Sequence, residues 1–275
     1  MRSVSPNLFC LKKFYRTAIL KNNTPMITAN DIIETMLSME DEKQRQVLSR
    51  FFKTGKGEYG EGDQFLGLRV PQTRMVVKAA RLQVALPEIS QLLHSKWHEV
   101  RLCGFLLLVE EMKEALPKRR HPGCPERRAA LTDFFLRHAC QANNWDLVDL
   151  SCGNILGVFL LHPLSDGSLP SRTILDTLAE SSNLWEQRIS IVSTIALIRQ
   201  NQYADTLRIA EKLLHHPHDL IHKAVGWMLR EVGKRDIDVL RSFLSNHHCE
   251  MPRTALRYTI EKMDAAERQR WMKKL

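Results

Sequence analysis

The sequence has no apolar run approaching about 18 residues, so no segment of it can cross a membrane as a helix. It has no C-x-x-C pair. Cys10, Cys103, Cys124, Cys140, Cys152 and Cys249 are scattered without short regular spacing. A zinc ribbon or a disulfide framework therefore has no support, and reduced, mostly buried thiols in a cytoplasmic protein are expected. G-x-S-x-G is absent, as is any Ser, Cys or His arrangement that marks a nucleophilic triad, so acyl-transfer hydrolysis has no support. His94 and His98 stand four apart without an H-E-x-x-H glutamate, and the other histidine clusters sit in turns. No metal site is expected, and these histidines are read as surface or turn residues. No segment alternates apolar and polar residues over a strand length.

What is present is an ordinary apolar fraction, 44%, and a charged fraction of 26% over 275 residues. That suffices for a full hydrophobic core. The net charge is +9, a weak pointer to a polyanionic partner. The excess is uneven. Arg2, Lys12, Lys13, Arg16 and Lys21 face no acid within the first 30 residues, which leaves +4 for the rest. Residues 1–28 read as a basic extension outside the fold, with a transit peptide as another reading. Residues 29–275 read as a single domain.

From about residue 29 the apolar period is helical almost throughout. Ile32, Ile33, Met36 and Leu37 form one stripe, and Val47, Leu48, Phe51 and Phe52 another; Val225, Met228, Leu229 and Val232 form one of the last. These recur at i, i+3, i+4 and i+7. Prolines such as Pro71, Pro87, Pro117, Pro125 and Pro252 fall between stripes and mark boundaries. About a dozen helices are expected. Four related helix openings begin at Lys96, Asn144, Leu184 and Asp219, at spacings of 48, 40 and 35 residues. Weak self-similarity at this period predicts an all-α, HEAT-like or armadillo-like solenoid with a concave surface, an irregular bundle being the other reading. The glycine-rich stretch Thr54–Leu68 contains the string G-K-G-E-Y-G. A helical segment precedes it and no strand does, so a dinucleotide site is rejected. It reads as an ordered cap or ligand-facing loop, or as a plain connector.

The segment Asn143–Asp149, NNWDLVD, is the strongest local signal. Asn144 suits an N-cap and Asp146 a first turn. Trp145 and Asp149 are four apart and share a helical face, a pairing able to hold something cationic. The other reading makes Trp145 a core residue and Asp149 a solvated or paired acid. Trp185 and Arg188 are three apart; Trp227 has Lys223 one turn before it and Arg230 one turn after. Basic side chains on successive inner helices could track phosphates, or Trp185 is core and the cations are solvated.

The strings NNWDLVDLS, LWEQRISI, HKAVGWMLREVGK and GEYGEGDQFLGLRVPQTR resemble the AlkD-type DNA alkylation repair glycosylases, which are built of HEAT-like repeats. The resemblance spans roughly residues 30 to 260. It implies a monofunctional, cofactor-free glycosylase that excises cationic N7- and N3-alkylated purines from double-stranded DNA. By the same resemblance Asp149 matches the catalytic aspartate, and Trp145 and Trp227 the two indoles that enclose the lesion sugar. Arg188 matches a basic residue at the lesion backbone, and Arg230 and Lys223 lie in a matching DNA-contacting string. A lysine that some members carry eight residues after the arginine is Ala196 here. Phe51, Phe52 and Tyr59 are candidates for an aromatic on the first helices. A monomer with no membrane partner is expected. The competing readings are a non-catalytic HEAT-repeat protein that binds unusual DNA structures, and a protein-interaction solenoid.

Overall fold

The computed structural model describes residues 26–118, 121 and 123–273. The basic segment 1–25 therefore lies outside the described residues. Among these, every regular element is helical, and the only strand-like features are two isolated bridges, Gln64 with Trp97 and Lys118 with His121. In chain order the helices are α1 (Ala29–Leu37), α2 (Glu42–Phe51), α3 (Val70–Ala80), α4 (Leu86–Leu93), α5 (His98–Ala115), α6 (Pro125–Arg137), α7 (Trp145–Cys152) and α8 (Thr173–Ala179). They continue with α9 (Leu184–Val192), α10 (Ile195–Arg199), α11 (Ala204–Lys212), α12 (Asp219–Gly233), α13 (Ile237–His247), α14 (Arg253–Thr259) and α15 (Ala265–Met272).

Local chemistry sets these boundaries. Thr28 and Asp31 form a reciprocal capping box at α1, which satisfies two amides that the first turn leaves open. Asp41, Asn183, Asp236 and Asp264 accept first-turn amides of α2, α9, α13 and α15. Proline stands in the first turn of α3, α4 and α6, where its missing N–H costs nothing. Ile27, ahead of α1, is buried and its amide donates to Gln83 O. The run LWEQRISIVSTIAL, readable as one helix, is broken after Val192. Thr194 Oγ1 donates back to Ile191 O at 2.7 Å, a local bond that competes with helix continuation.

The described residues group into two compact units. Unit 1 holds those up to Cys124 together with Asp133–Leu147; unit 2 holds Pro125–Thr132 and those from Val148 onward. In unit 1, α5 packs on α3 and α4, and α1 lies against all three. α5 is apolar almost all round, with Leu102, Phe105, Leu106, Leu107 and Leu108 buried, as a central helix must be. In unit 2, α12 is central and packs on α9, α13 and α14, while α8 pairs with α9. Gly226 permits the α12–α14 approach: a Cβ there would lie 2.5 Å from both Ala255 O and Tyr258 Cβ.

The α2 stripe is only partly covered: Val47 and Phe51 are 57% and 59% exposed, and only Phe52, at the C-cap, is buried. One expectation is corrected. Among the described residues the thiols are not mostly buried. Cys103 and Cys152 are, and burial pushes both up to about 12, but Cys140 and Cys249 are exposed on a 3-10 turn and a post-helical turn.

Candidate active site

In unit 2 the site is built on Asp149. α7 presents its carboxylate half-buried, and Arg188 of α9 takes it along the Nε–Nη2 edge of the guanidinium. Nε donates to Oδ1 at 2.9 Å and Nη2 to Oδ2 at 2.8 Å. This bidentate, charge-assisted geometry is the strongest a carboxylate finds among side chains. The third arginine nitrogen, Nη1, donates to Leu220 O in the first turn of α12. Arg188 is itself only 5% exposed. Its three nitrogens thus join the acid of α7 to the helix that carries Trp227. The sequence reading of Arg188 as a backbone contact meets a buried residue engaged with Asp149. Trp185, one turn earlier, is buried at 8% exposure, in line with its core reading.

Trp227 is half-buried on α12, with Lys223 four residues before it and Arg230 three after. These three share the face opposite Ala224, Val225, Met228 and Leu229, all buried. Both cations have acid partners. Lys223 Nζ lies 2.7 Å from Asp219 Oδ2 one turn back, and Arg230 pairs with Glu261 through Nη1. A phosphate would have to compete with these carboxylates, and Lys223, 39% exposed, sits where such an exchange is cheap. Ala196 is buried on α10, so no side chain there reaches outward.

In unit 1 the second indole, Trp145, opens α7 half-buried, with Asn144 Oδ1 accepting its amide at 2.8 Å. Of the three candidate aromatics, two meet it. Phe52 stacks on the indole with centroids 5.4 Å apart, and Phe51 approaches edge-on at 5.9 Å. Tyr59 instead lies 6.0 Å from Lys53 Nζ.

Beneath this aromatic layer lies a buried charge network that the sequence reading missed. His98, expected at the surface, is 2% exposed. Its Nδ1 is 2.7 Å from Asp63 Oδ2 and its Nε2 is 2.8 Å from Asp146 Oδ2. Burial opposes a charge on the imidazole, but Asp146 and Asp63 outweigh it and raise the ring to about 9. Burial likewise opposes the charge on Asp63, yet His98 and Arg101 hold its carboxyl below the usual range. Asp63 belongs to the glycine-rich stretch, which is an ordered loop and not a loose connector. Its residues Leu66, Gly67 and Leu68 donate three successive amides to the buried Glu99 carboxylate at 2.9, 2.9 and 3.0 Å. Gly67 has φ +89°, and a Cβ there would lie 2.1 Å from Asp41 O, so only glycine fits. Sequence offered one signal for this network, an aspartate in each of two singled-out segments, but nothing that joined them.

The described residues thus form an all-helical fold of the α-solenoid kind, with an arginine-anchored acid and a half-buried indole in one unit and a second half-buried indole in the other. The sequence profile of the DNA alkylation repair enzyme family matches residues 32–263. The chain belongs to that family, and its role lies in the repair of alkylated DNA. Among solved structures, a predicted DNA alkylation repair enzyme from Enterococcus faecalis shares the fold. The TM-score is 0.57 at 14% identity, over 82% of this chain and 97% of that one. No curated protein matches the sequence.

Proposed function

We propose that the protein is a monofunctional DNA glycosylase that excises cationic N7- and N3-alkylated purines from duplex DNA. The observation that carries the reading is Asp149: one half-buried carboxylate, fixed by two guanidinium bonds, four residues after Trp145 on the same helix. Alkylation at N7 or N3 makes the purine a cation and so a ready leaving group. Breaking its glycosidic bond leaves positive charge on the sugar, as in other glycoside cleavages. A carboxylate that cannot reorient is already placed for that charge and pays no reorganisation as the charge develops. It also offers an acceptor for the proton of the attacking water. The faces of Trp145 and Trp227 suit an apolar sugar surface and a neighbouring cation. Arg188 serves this chemistry as a positioning residue, and Lys223 and Arg230 supply the phosphate contacts.

The test is release of 7-methylguanine and 3-methyladenine from methylated duplex DNA under single-turnover conditions. Asp149→Asn keeps the shape and removes the charge. Its rate should fall by about 100-fold or more while duplex affinity stays near wild type. Equal rates in the two proteins sink the mechanism. No release by wild type, together with tight binding of branched DNA, would make this a non-catalytic DNA binder.

A further inference from the structure

His98 takes no part in the chemistry above, yet it is joined to one of the residues that does. Each of its ring nitrogens faces a carboxylate oxygen, Asp63 Oδ2 on one side and Asp146 Oδ2 on the other. A neutral imidazole has a single N–H and would set a bare lone pair against one of these oxygens; both contacts are hydrogen bonds only in the imidazolium. The charges around the ring can be named element by element. The loop contributes Asp63, whose Oδ1 is paired with Arg101 of α5. α7 contributes Asp146. Glu99, adjacent on α5, is turned to the loop amides. The C-cap of α2 contributes only Phe52, and the loop adds Phe65, with centroids 4.9 and 4.5 Å from the imidazole.

Two routes lead from this ring to Trp145. The first runs through the backbone. Asp146 is the next residue, and its Oδ1 is buried with no hydrogen-bond partner, so among the described residues its carboxylate is held through His98. The second runs through rings: imidazole on Phe52, and Phe52 on the indole at an interplanar angle of 26°.

We propose that His98, as an imidazolium bridging Asp63 and Asp146, is a positioning residue that fixes the Trp145 indole in place for its contact with the lesion sugar. What Trp145 contacts rests on the glycosylase reading; how it is held does not.

The full-length protein labelled with 5-fluorotryptophan separates the two. The Trp145 fluorine resonance is assigned by its loss in Trp145→Phe and followed from pH 7 to pH 10, without DNA. In wild type it should move in one transition near pH 9. In His98→Gln the transition should be absent, with the resonance displaced at pH 7. In a single-turnover assay at pH 7, His98→Gln should release base about tenfold more slowly, with affinity for undamaged duplex within about twofold of wild type. A merely structural histidine would lower the unfolding midpoint and leave both readouts unmoved. If His98→Gln does not fold, Asp146→Asn takes its place: the transition should move below that of wild type as one of the two raising carboxylates is lost, with the same displacement at pH 7 and the same slower release. A wild-type resonance that is flat across the range overturns the inference, as does a folded variant with unchanged resonance and unchanged excision. If wild type releases no base, the glycosylase reading falls and the fluorine titration alone decides whether His98 holds the indole.

Discussion

At the scale of the residue, Arg188 separates two roles that the sequence alone could not. A phosphate contact and a partner for the carboxylate of the proposed mechanism both call for an arginine. The structure gives Arg188 to Asp149, so its substitution should act on chemistry more than on association. Arg188→Lys keeps the charge but loses the planar fork. Base release should fall at least tenfold, about 1.4 kcal/mol of transition-state stabilisation, while the salt dependence of duplex affinity is unchanged. A loss of about one unit of that salt slope would instead mark Arg188 as a phosphate contact. The spacing Trp185–Arg188 was legible in the sequence. Its destination was not, because Asp149 lies 39 residues away. His98 failed for the same reason: its carboxylates are 35 and 48 residues distant, and no local period records a pairing made by tertiary packing.

At the scale of the element, helix identity was far more legible than helix exposure. The four openings at Lys96, Asn144, Leu184 and Asp219 are followed by helices beginning at His98, Trp145, Leu184 and Asp219. The α12 stripe is buried as its period requires. The α2 stripe has the same period, yet Val47 and Phe51 are exposed, since periodicity says which residues share a face and not whether anything covers it. Close helix approach is likewise invisible to pattern. Gly226→Ala should gain about 1 kcal/mol of helix propensity and lose about 2 kcal/mol to overpacking against the Ala255 carbonyl and Tyr258, which cannot both retreat. The net expectation is a lower urea midpoint. A higher one would mean that α12 and α14 separate at little cost.

At the scale of the whole molecule, stability should carry the signature of the His98 network. Its folded value of about 9 stands above the ordinary 6.5. The network's contribution is therefore complete below pH 6.5 and is lost as pH rises through 9. The full difference is about 3 kcal/mol, held jointly with Asp63 and Asp146. Asp63, held below the usual carboxylate range, works in the opposite sense, with stability present at neutral pH and lost in acid. Urea unfolding should thus weaken between pH 7 and 9.5, and Asp146→Asn should flatten that slope. The loop that Glu99 grips has a consequence of its own. Three consecutive backbone amides converging on one carboxylate form an anion receptor of the kind that elsewhere takes a phosphate. Here the receptor is liganded from within, so the segment Leu66–Leu68 owes its order to a resident acid and its amides leave no vacancy for an outside anion. Glu99→Ala would open that vacancy. Added sulfate should then raise the variant's unfolding midpoint by more than it raises that of wild type, an exogenous anion standing in for the missing side chain.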